Sequence, residues 1–374
     1  MAWQRSSPGG ICRITLRLSD ADTPGLARRN SHLITAALTL AGAIIVAVVL
    51  LVFLPRIVSY GDVWRAFRDL SWLELAAVLA AAVLNLLTYG PSLMAALPGI
   101  RYQPALTATL ASQASTYIAP GGPAVGLGIA FLMLRGWGFA RRRITLALGL
   151  VTVANQLTTL AFPPVALVIL FLAGERNPLL ETVSVIGLGL LAVVATLVIL
   201  SLHSESLACR VGDAVAAASS AALRLIRRPP VGWSGEDLAR FRGEALDLLK
   251  TRWHWLTIGT LAGHLSVFLV LFVTLRAVGV SGDEDSVEEA FAAWSIVRVL
   301  GAIPILPGGF GVVEVGLTTA LGGFGGDEAG VVASVVVYRF LTVGVPLVSG
   351  AIAGALWRRH HPREAEEMLV GRGV

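Results

Sequence analysis

Charged residues are scarce in this chain. Asp, Glu, Lys and Arg make up only 14% of its 374 residues, whereas 55% are hydrophobic and the mean hydropathy is +0.76. A soluble domain contains about 25% charged residues, so a soluble fold of this length is excluded. The composition predicts an all-α polytopic membrane protein, because a helix satisfies its own backbone hydrogen bonds in lipid.

Few cysteines and histidines, and no nucleotide-binding loop, limit the kinds of site that the chain can form. Cys12 and Cys209 are the two cysteines, and both lie in segments expected in the cytoplasm, so no disulfide framework is predicted. The six histidines form no ligand cluster, which argues against a metal site. The sequence shows no nucleotide-binding loop, so ATP-driven transport within the chain is not expected. We therefore predict no cofactor, no metal and no catalytic residue.

The basic residues flank the apolar segments, and this pattern accounts for the net charge of +5 without a nucleic-acid partner. Residues 1–32 are polar and lack the apolar core of a signal peptide, so we expect a cytoplasmic tail. Basic residues also follow the last apolar segment, in a tail at 358–374. The charge bias predicts a multi-pass membrane protein with both termini in the cytoplasm.

About six apolar segments are long enough for full spans, each of which needs about 20 residues. They are residues 33–54, 71–97, 144–172, 182–203, 253–275 and 331–357. A basic stretch with amphipathic spacing interrupts the series and predicts a cytoplasmic linker lying on the membrane surface. The predicted division is a first membrane half at 33–203, the linker at 204–252 and a second membrane half at 253–357.

Two further apolar regions are interrupted by helix-breaking residues, at 120–123 and at 304–309. Irregular backbone at membrane depth is tolerated only where protein or a watery cavity surrounds it. Each region therefore predicts a re-entrant pair of half-helices that turn within the membrane. The predicted tip residues are Pro120, Gly121, Gly122, Pro304, Pro307, Gly308, Gly309 and Gly311.

The two halves of the chain resemble each other. The Pro-Gly-Gly tips are 187 residues apart, and the helices that follow match at an offset of 184 residues, which places Asn155 opposite Arg339. Charge bias puts the first tip region on the cytoplasmic side and the second on the outer side. Inverted repeats with paired broken helices are typical of secondary transporters, in which the substrate binds where the tips meet.

The sequence IPILPGGFGVVE, followed by YRFLTVGVP, resembles the closing signature of the transmembrane, flippase-like region of lysylphosphatidylglycerol synthases. The stretch TYIAPGGPAVGLGIAFLMLRGWGF resembles the first broken-helix motif of their stand-alone relatives. The resemblance implies that Glu314 and Arg339 are the polar pair of the second half and that the tips shape a lipid headgroup cavity. The fused enzymes carry a soluble aminoacyl-transferase domain; the chain ends at Val374 without room for one, so we expect no lipid-aminoacylating activity.

Polar side chains within the apolar regions are the candidate substrate-binding or gating residues, because burying them in the membrane is costly. They are Glu314, Arg339, Arg298, Asn155, Gln156 and Gln113. The charged residues have a structural alternative as an ion pair or an interfacial arginine, and the amides have one as bonds between helices. His264 is interpreted as a packing residue.

The leading functional hypothesis is a lipid translocator that moves an anionic headgroup between leaflets. A membrane-embedded transferase acting on a lipid or polyprenyl phosphate is an alternative, although the carboxylates for such chemistry lie only in the acidic loop at 283–285. A non-transporting scaffold for envelope synthesis is another. The expected partners are membrane lipids, and a homo-oligomer is compatible with the sequence.

Overall fold

The computed structural model describes most of the chain from residue 70 onward. Described are residues 70–118, 122–174, 178–204, 235–280, 286–301 and 309–361, together with Arg68 and scattered positions between 206 and 220. The predicted first span and most of the predicted tip residues lie outside this part. The tip residues outside it are Pro120, Gly121, Pro304, Pro307 and Gly308.

All regular elements among the described residues are helices, which confirms the all-α prediction. They are α1 (Trp72–Leu87), α2 (Pro91–Ala96), α3 (Tyr102–Ile118), α4 (Gly122–Gly136), α5 (Arg141–Ala173), α6 (Pro178–His203), α7 (Gly235–Val278), α8 (Val287–Gly301), α9 (Val312–Phe324), α10 (Glu328–Arg339) and α11 (Val345–His360). A π-helical segment, Phe340–Gly344, joins α10 to α11.

Four helical stretches among the described residues are long and apolar enough to cross a membrane. They are Trp72–Ala96, Arg141–Ala173, Arg242–Val278 and Glu328–His360, and each coincides with a predicted span. The predicted span at 182–203 falls within α6, where Ser184–Leu200 forms a shorter apolar helix. The total of about six spans stays a prediction.

The predicted span at 71–97 is not one continuous helix. It breaks into α1 and α2 at a turn formed by Thr88, Tyr89 and Gly90. Pro91 opens α2, and its ring and missing N–H interrupt the helical hydrogen bonds. A Cβ on Gly90 would lie 2.7 Å from the Tyr102 ring, so the turn packs closely on α3. The break brings Thr88 and Tyr89 to the cavity described below.

Helices α3 and α4 form an antiparallel hairpin. A Cβ on Gly122 or Gly126 would overlap atoms of Thr116, so these two glycines allow the arms to touch. The arms contain 17 and 15 residues, fewer than the roughly 20 that a span requires. This hairpin occupies the position of the first predicted broken region.

Helices α8 and α9 form a second antiparallel hairpin, with arms of 15 and 13 residues. Gly316 packs on Val297, since a Cβ there would lie 3.0 Å from Val297 Cγ2. Gly309 and Gly311 have φ values of 64° and 83°, which favour glycine and turn the chain into α9. This hairpin occupies the position of the second predicted broken region.

Each of the two hairpins packs on a helix that follows the other hairpin. The first arm of each hairpin lies on the long helix of the other half, α3 on α11 and α8 on α5. Ala166 of α5 packs with residues of α8, and Gly350, 184 residues later, packs against Leu110 of α3.

Contacts group the chain into two compact units, Met1–Leu33 with Ala195–Asp247 and Ile34–Val194 with Leu248–Val374. The second unit contains two large apolar clusters. One surrounds Trp294 and Leu271, and the other surrounds Met133 and Ile144. The cavity described below lies wholly in this second unit. The predicted boundaries of the linker and the two membrane halves stay predictions.

Candidate functional site

A cavity of about 160 Å³ lies among α2, α3, α5, α7, α8 and the junction of α10 with the π-helical segment. The turn between α1 and α2 also forms part of the cavity wall. The ionisable, amide and aromatic polar residues of the lining are Arg298, Arg339, His264, Gln113, Asn155, Tyr89, Tyr117 and Tyr338. Among the described residues that line the cavity, none is Asp or Glu.

Arg339 lines the cavity and is held in place by Glu314, which does not line it. Its Nε donates a hydrogen bond of 2.6 Å to Glu314 Oε1; the Glu314 side chain is buried, and the Arg339 side chain is 12% exposed. Glu314 Oε2 accepts the N–H of Gly311 at 2.6 Å, at the start of α9. A carboxylate is favoured there because the first N–H groups of a helix have no helical acceptor. The Arg339 guanidinium also lies 5.0 Å above the Phe310 ring.

Arg298 belongs to a chain of hydrogen bonds that crosses three helices. Its Nη2 lies 2.8 Å from His264 Nδ1, and His264 Nε2 lies 3.1 Å from Asn155 Oδ1. Arg298 is on α8, His264 on α7 and Asn155 on α5. The guanidinium also lies 5.6 Å from the centre of the Trp294 ring. The two arginines of the cavity are therefore held by different kinds of partner.

The π-helical segment adjoins Arg339 because Pro346 cannot continue a regular helix. Pro346 has no N–H to donate to Thr342. The N–H of Val345 donates instead to the carbonyl of Phe340, which closes a wider turn. The Thr342 hydroxyl donates to the backbone carbonyl of Tyr338 at 2.7 Å. π-Helical turns occur frequently at functional sites. Here the segment contributes Thr342 and Val343 to the cavity wall.

Thr260 gives the cavity an unsatisfied polar group. This residue is 1% exposed, and its hydroxyl has no hydrogen-bond partner among the described residues. Buried hydroxyl groups without partners are rare and costly. Its place in the lining means that water or a ligand in the cavity can supply the missing partner.

The structure brings four of the six predicted site residues to this cavity. Arg339, Arg298, Asn155 and Gln113 line it, whereas Glu314 lies behind Arg339. Gln156 is exposed on α5 and does not line the cavity. Successive residues of a helix point about 100° apart, so Asn155 and its neighbour cannot both face the interior. Gln156 therefore lies outside this cavity, and its assignment to the site stays a prediction.

His264 and the tyrosines are among the lining residues that the sequence analysis did not assign to the site. His264 was expected to be a packing residue, yet it joins Arg298 to Asn155. Tyr89 was not among the predicted site residues. The adjacent Gly90-Pro91 pair was the available signal, because it predicts a break that exposes polar groups.

The helices and the polar cavity define an integral, multi-pass membrane protein. Residues 39–350 match the family model described as the lysylphosphatidylglycerol synthase TM region. The match covers most of the chain, and the chain belongs to this family. No curated protein matches the chain.

Proposed function

We propose that the protein translocates lipids with anionic headgroups between the leaflets of a membrane. The observation that carries the proposal is the charge of the cavity, which has two arginines in its lining and no carboxylate among the described lining residues. An arginine fork suits phosphate oxygens, which it binds with two parallel hydrogen bonds. The headgroup enters the cavity while its acyl chains remain in the bilayer, and no covalent step is involved.

The architecture proposed for this activity is a pair of inverted repeats. Each hairpin is a re-entrant pair of half-helices, and the two hairpins enter the membrane from opposite sides. The short arms and the reciprocal packing of α3 on α11 and α8 on α5 support this arrangement. We place the protein in a bacterial plasma membrane with both termini in the cytoplasm.

Arg339 and Arg298 contact the headgroup in this proposal, and Glu314 holds Arg339 in place. Thr260, Gln113 and Tyr117 provide uncharged polar groups around the phosphate. Such groups bind the neutral part of a headgroup by hydrogen bonds, so the cavity accepts a polar ligand that lipid alone would exclude.

Headgroup accessibility in proteoliposomes tests the proposal. Purified full-length protein is reconstituted with fluorescent anionic, aminoacylated or polyprenyl-phosphate lipids, and a membrane-impermeant quencher is added outside. We expect the protected inner-leaflet fraction of at least one anionic lipid to disappear in a protein-dependent way. Arg298→Gln should slow this loss at least about ten-fold, as expected when a charged hydrogen-bond partner is removed.

Arg135→Gln is the matched control, because Arg135 is exposed at the end of α4 and does not line the cavity. Protection that persists for every lipid, with protein that elutes as a single folded species, would rule out translocation.

A further inference from the structure

The two arginines of the cavity differ in how their charge is balanced. Arg339 forms an ion pair with Glu314, so together they contribute no net charge. Arg298 forms no ion pair with a carboxylate among the described residues; its partners are His264 and the Trp294 ring. The positive charge that remains uncompensated at the cavity is that of Arg298.

The hydrogen-bond pattern determines the charge of His264. A guanidinium has only donors, so His264 Nδ1 must accept the 2.8 Å hydrogen bond from Arg298. A doubly protonated imidazole has no acceptor, and His264 is therefore neutral with its proton on Nε2. This Nε2–H donates to Asn155 Oδ1 at 3.1 Å. His264 and Asn155 orient the guanidinium without cancelling its charge.

We infer that the cavity selects a headgroup with a single negative charge, carried by a phosphodiester, and that Arg298 supplies the positive charge that balances it. The inference rests on the proposed function and specifies the substrate of the same site. Two arginines and one glutamate leave one positive charge, which one phosphodiester neutralises. His264 and Asn155 are positioning residues for Arg298.

Other headgroup charges fit this cavity less well. A phosphomonoester has a second pKa of about 6 and carries nearly two negative charges above neutral pH, so one charge would stay uncompensated in a site of low dielectric constant. A zwitterionic headgroup would bring a cation close to Arg298, with no carboxylate among the described lining residues to receive it. Both mismatches cost binding free energy.

Lipids with small headgroups of different net charge test the selectivity. Full-length protein in detergent micelles at pH 8 binds a fluorescent phosphatidylethanol, which has one negative charge, in competition with unlabelled phosphatidylethanol, phosphatidylcholine or phosphatidic acid. We expect phosphatidylethanol to compete about ten-fold better than either of the others. Equal competition by all three lipids would overturn the inference.

Single-residue variants test whether Arg298 is the source of the lipid preference. Arg298→Gln should abolish the preference for phosphatidylethanol over phosphatidylcholine, Arg298→Lys should keep most of it, and Arg135→Gln should leave it unchanged. An unchanged preference in Arg298→Gln would exclude Arg298 as the source of the balancing charge. Binding should also weaken in His264→Phe and recover partly in His264→Asn, which restores an acceptor. Equal binding by these two variants would refute the positioning role of His264.

The Glu314–Arg339 pair provides a test of the charge count itself. Glu314→Gln raises the net charge of the site by one and should shift the preference toward phosphatidic acid. The double variant Glu314→Gln with Arg339→Gln restores the count and should return the preference to phosphatidylethanol. If Glu314→Gln does not fold, the double variant and the Arg298 variants still test whether the net charge of the site sets the lipid preference.

A water-soluble competitor distinguishes a lipid from a free phosphodiester. Glycerophosphoethanol, the deacylated form of the probe, should compete far more weakly than the intact lipid. Equal competition would assign the site to a soluble phosphodiester and refute the lipid assignment. These measurements report binding, so selectivity in a protein that fails the proteoliposome assay would refute translocation alone. Translocation without charge selectivity would refute only the inference.

Discussion

Glu314 acts on the cavity through another side chain. Its two carboxylate oxygens are occupied by Arg339 Nε and by the N–H of Gly311, each at 2.6 Å. The residue is 5% exposed and lies outside the lining. A carboxylate engaged in this way fixes Arg339 relative to the start of α9. Direct contact between Glu314 and a headgroup, as predicted for a substrate-binding residue, would require this pair to separate.

Breaking the pair from one side should destabilise the protein. Glu314→Gln leaves the Arg339 guanidinium, which is largely shielded from solvent, without its anion. Removing one partner of a buried pair costs about 3–5 kcal/mol. The unfolding midpoint in detergent should fall clearly for Glu314→Gln. The double variant with Arg339→Gln should recover much of the loss, because no buried charge is left uncompensated. Glu328→Gln, at an exposed first-turn position of α10, should change stability by less than about 1 kcal/mol. A midpoint for Glu314→Gln equal to that of this control would contradict the structural role of the pair.

Close contacts between helices determine the positions of the helices that line the cavity. The π-helical turn at Phe340–Gly344 connects Arg339, which faces the cavity, to the part of α11 that packs on α3. Gly350 marks the tightest part of this packing, because a Cβ there would overlap Leu110 and approach Ala114. Small residues allow membrane helices to approach this closely.

Gly350→Ala should therefore destabilise the contact between α3 and α11. Overpacking of a tight interface costs about 1–3 kcal/mol, and the carbonyl of Leu110 belongs to a helix that cannot yield easily. Gly354→Ala is the matched control on the same helix, because its Cβ would lie 3.8 Å from Ala111, an ordinary contact. Thermal unfolding in detergent compares the two variants. Equal midpoints would show that the helices separate without cost.

At the scale of the whole molecule, the proposed inverted repeats predict the side of the membrane on which each hairpin enters. The loop after α4 contains Ala140, and the loop after α9 leads to Ala329; both residues are exposed. In the inverted arrangement, Ala140 lies on the cytoplasmic side and Ala329 on the outer side. Two hairpins inserted from the same side would place the two loops together.

Single cysteines at these positions distinguish the two arrangements. With Cys12 and Cys209 replaced by serine, a membrane-impermeant maleimide added to intact cells should label Ala329→Cys and not Ala140→Cys. Inside-out vesicles should give the opposite pattern. Labelling of both cysteines from one side would refute inverted topology and leave the cavity itself unaffected.

The sequence by itself determined the fold class and the broken helices. Composition required helices in a membrane, and the Pro-Gly interruptions marked both hairpins, because these residues act on the backbone locally wherever they occur. The repeat offset that relates Asn155 to Arg339 also came from the sequence, and both residues line one cavity. These features depend on neighbours along the chain.

Only the tertiary structure decided which polar side chains meet. Sequence reasoning could not choose between Asn155 and Gln156, because the direction in which a helix faces is set by its packing partners. It also missed that His264 connects Arg298 to Asn155, since these residues lie on three helices and their contacts have no local signature. The charge of the cavity depends on such long-range pairs. Glu314 cancels Arg339 and His264 leaves Arg298 charged only because helix packing brings each to its partner.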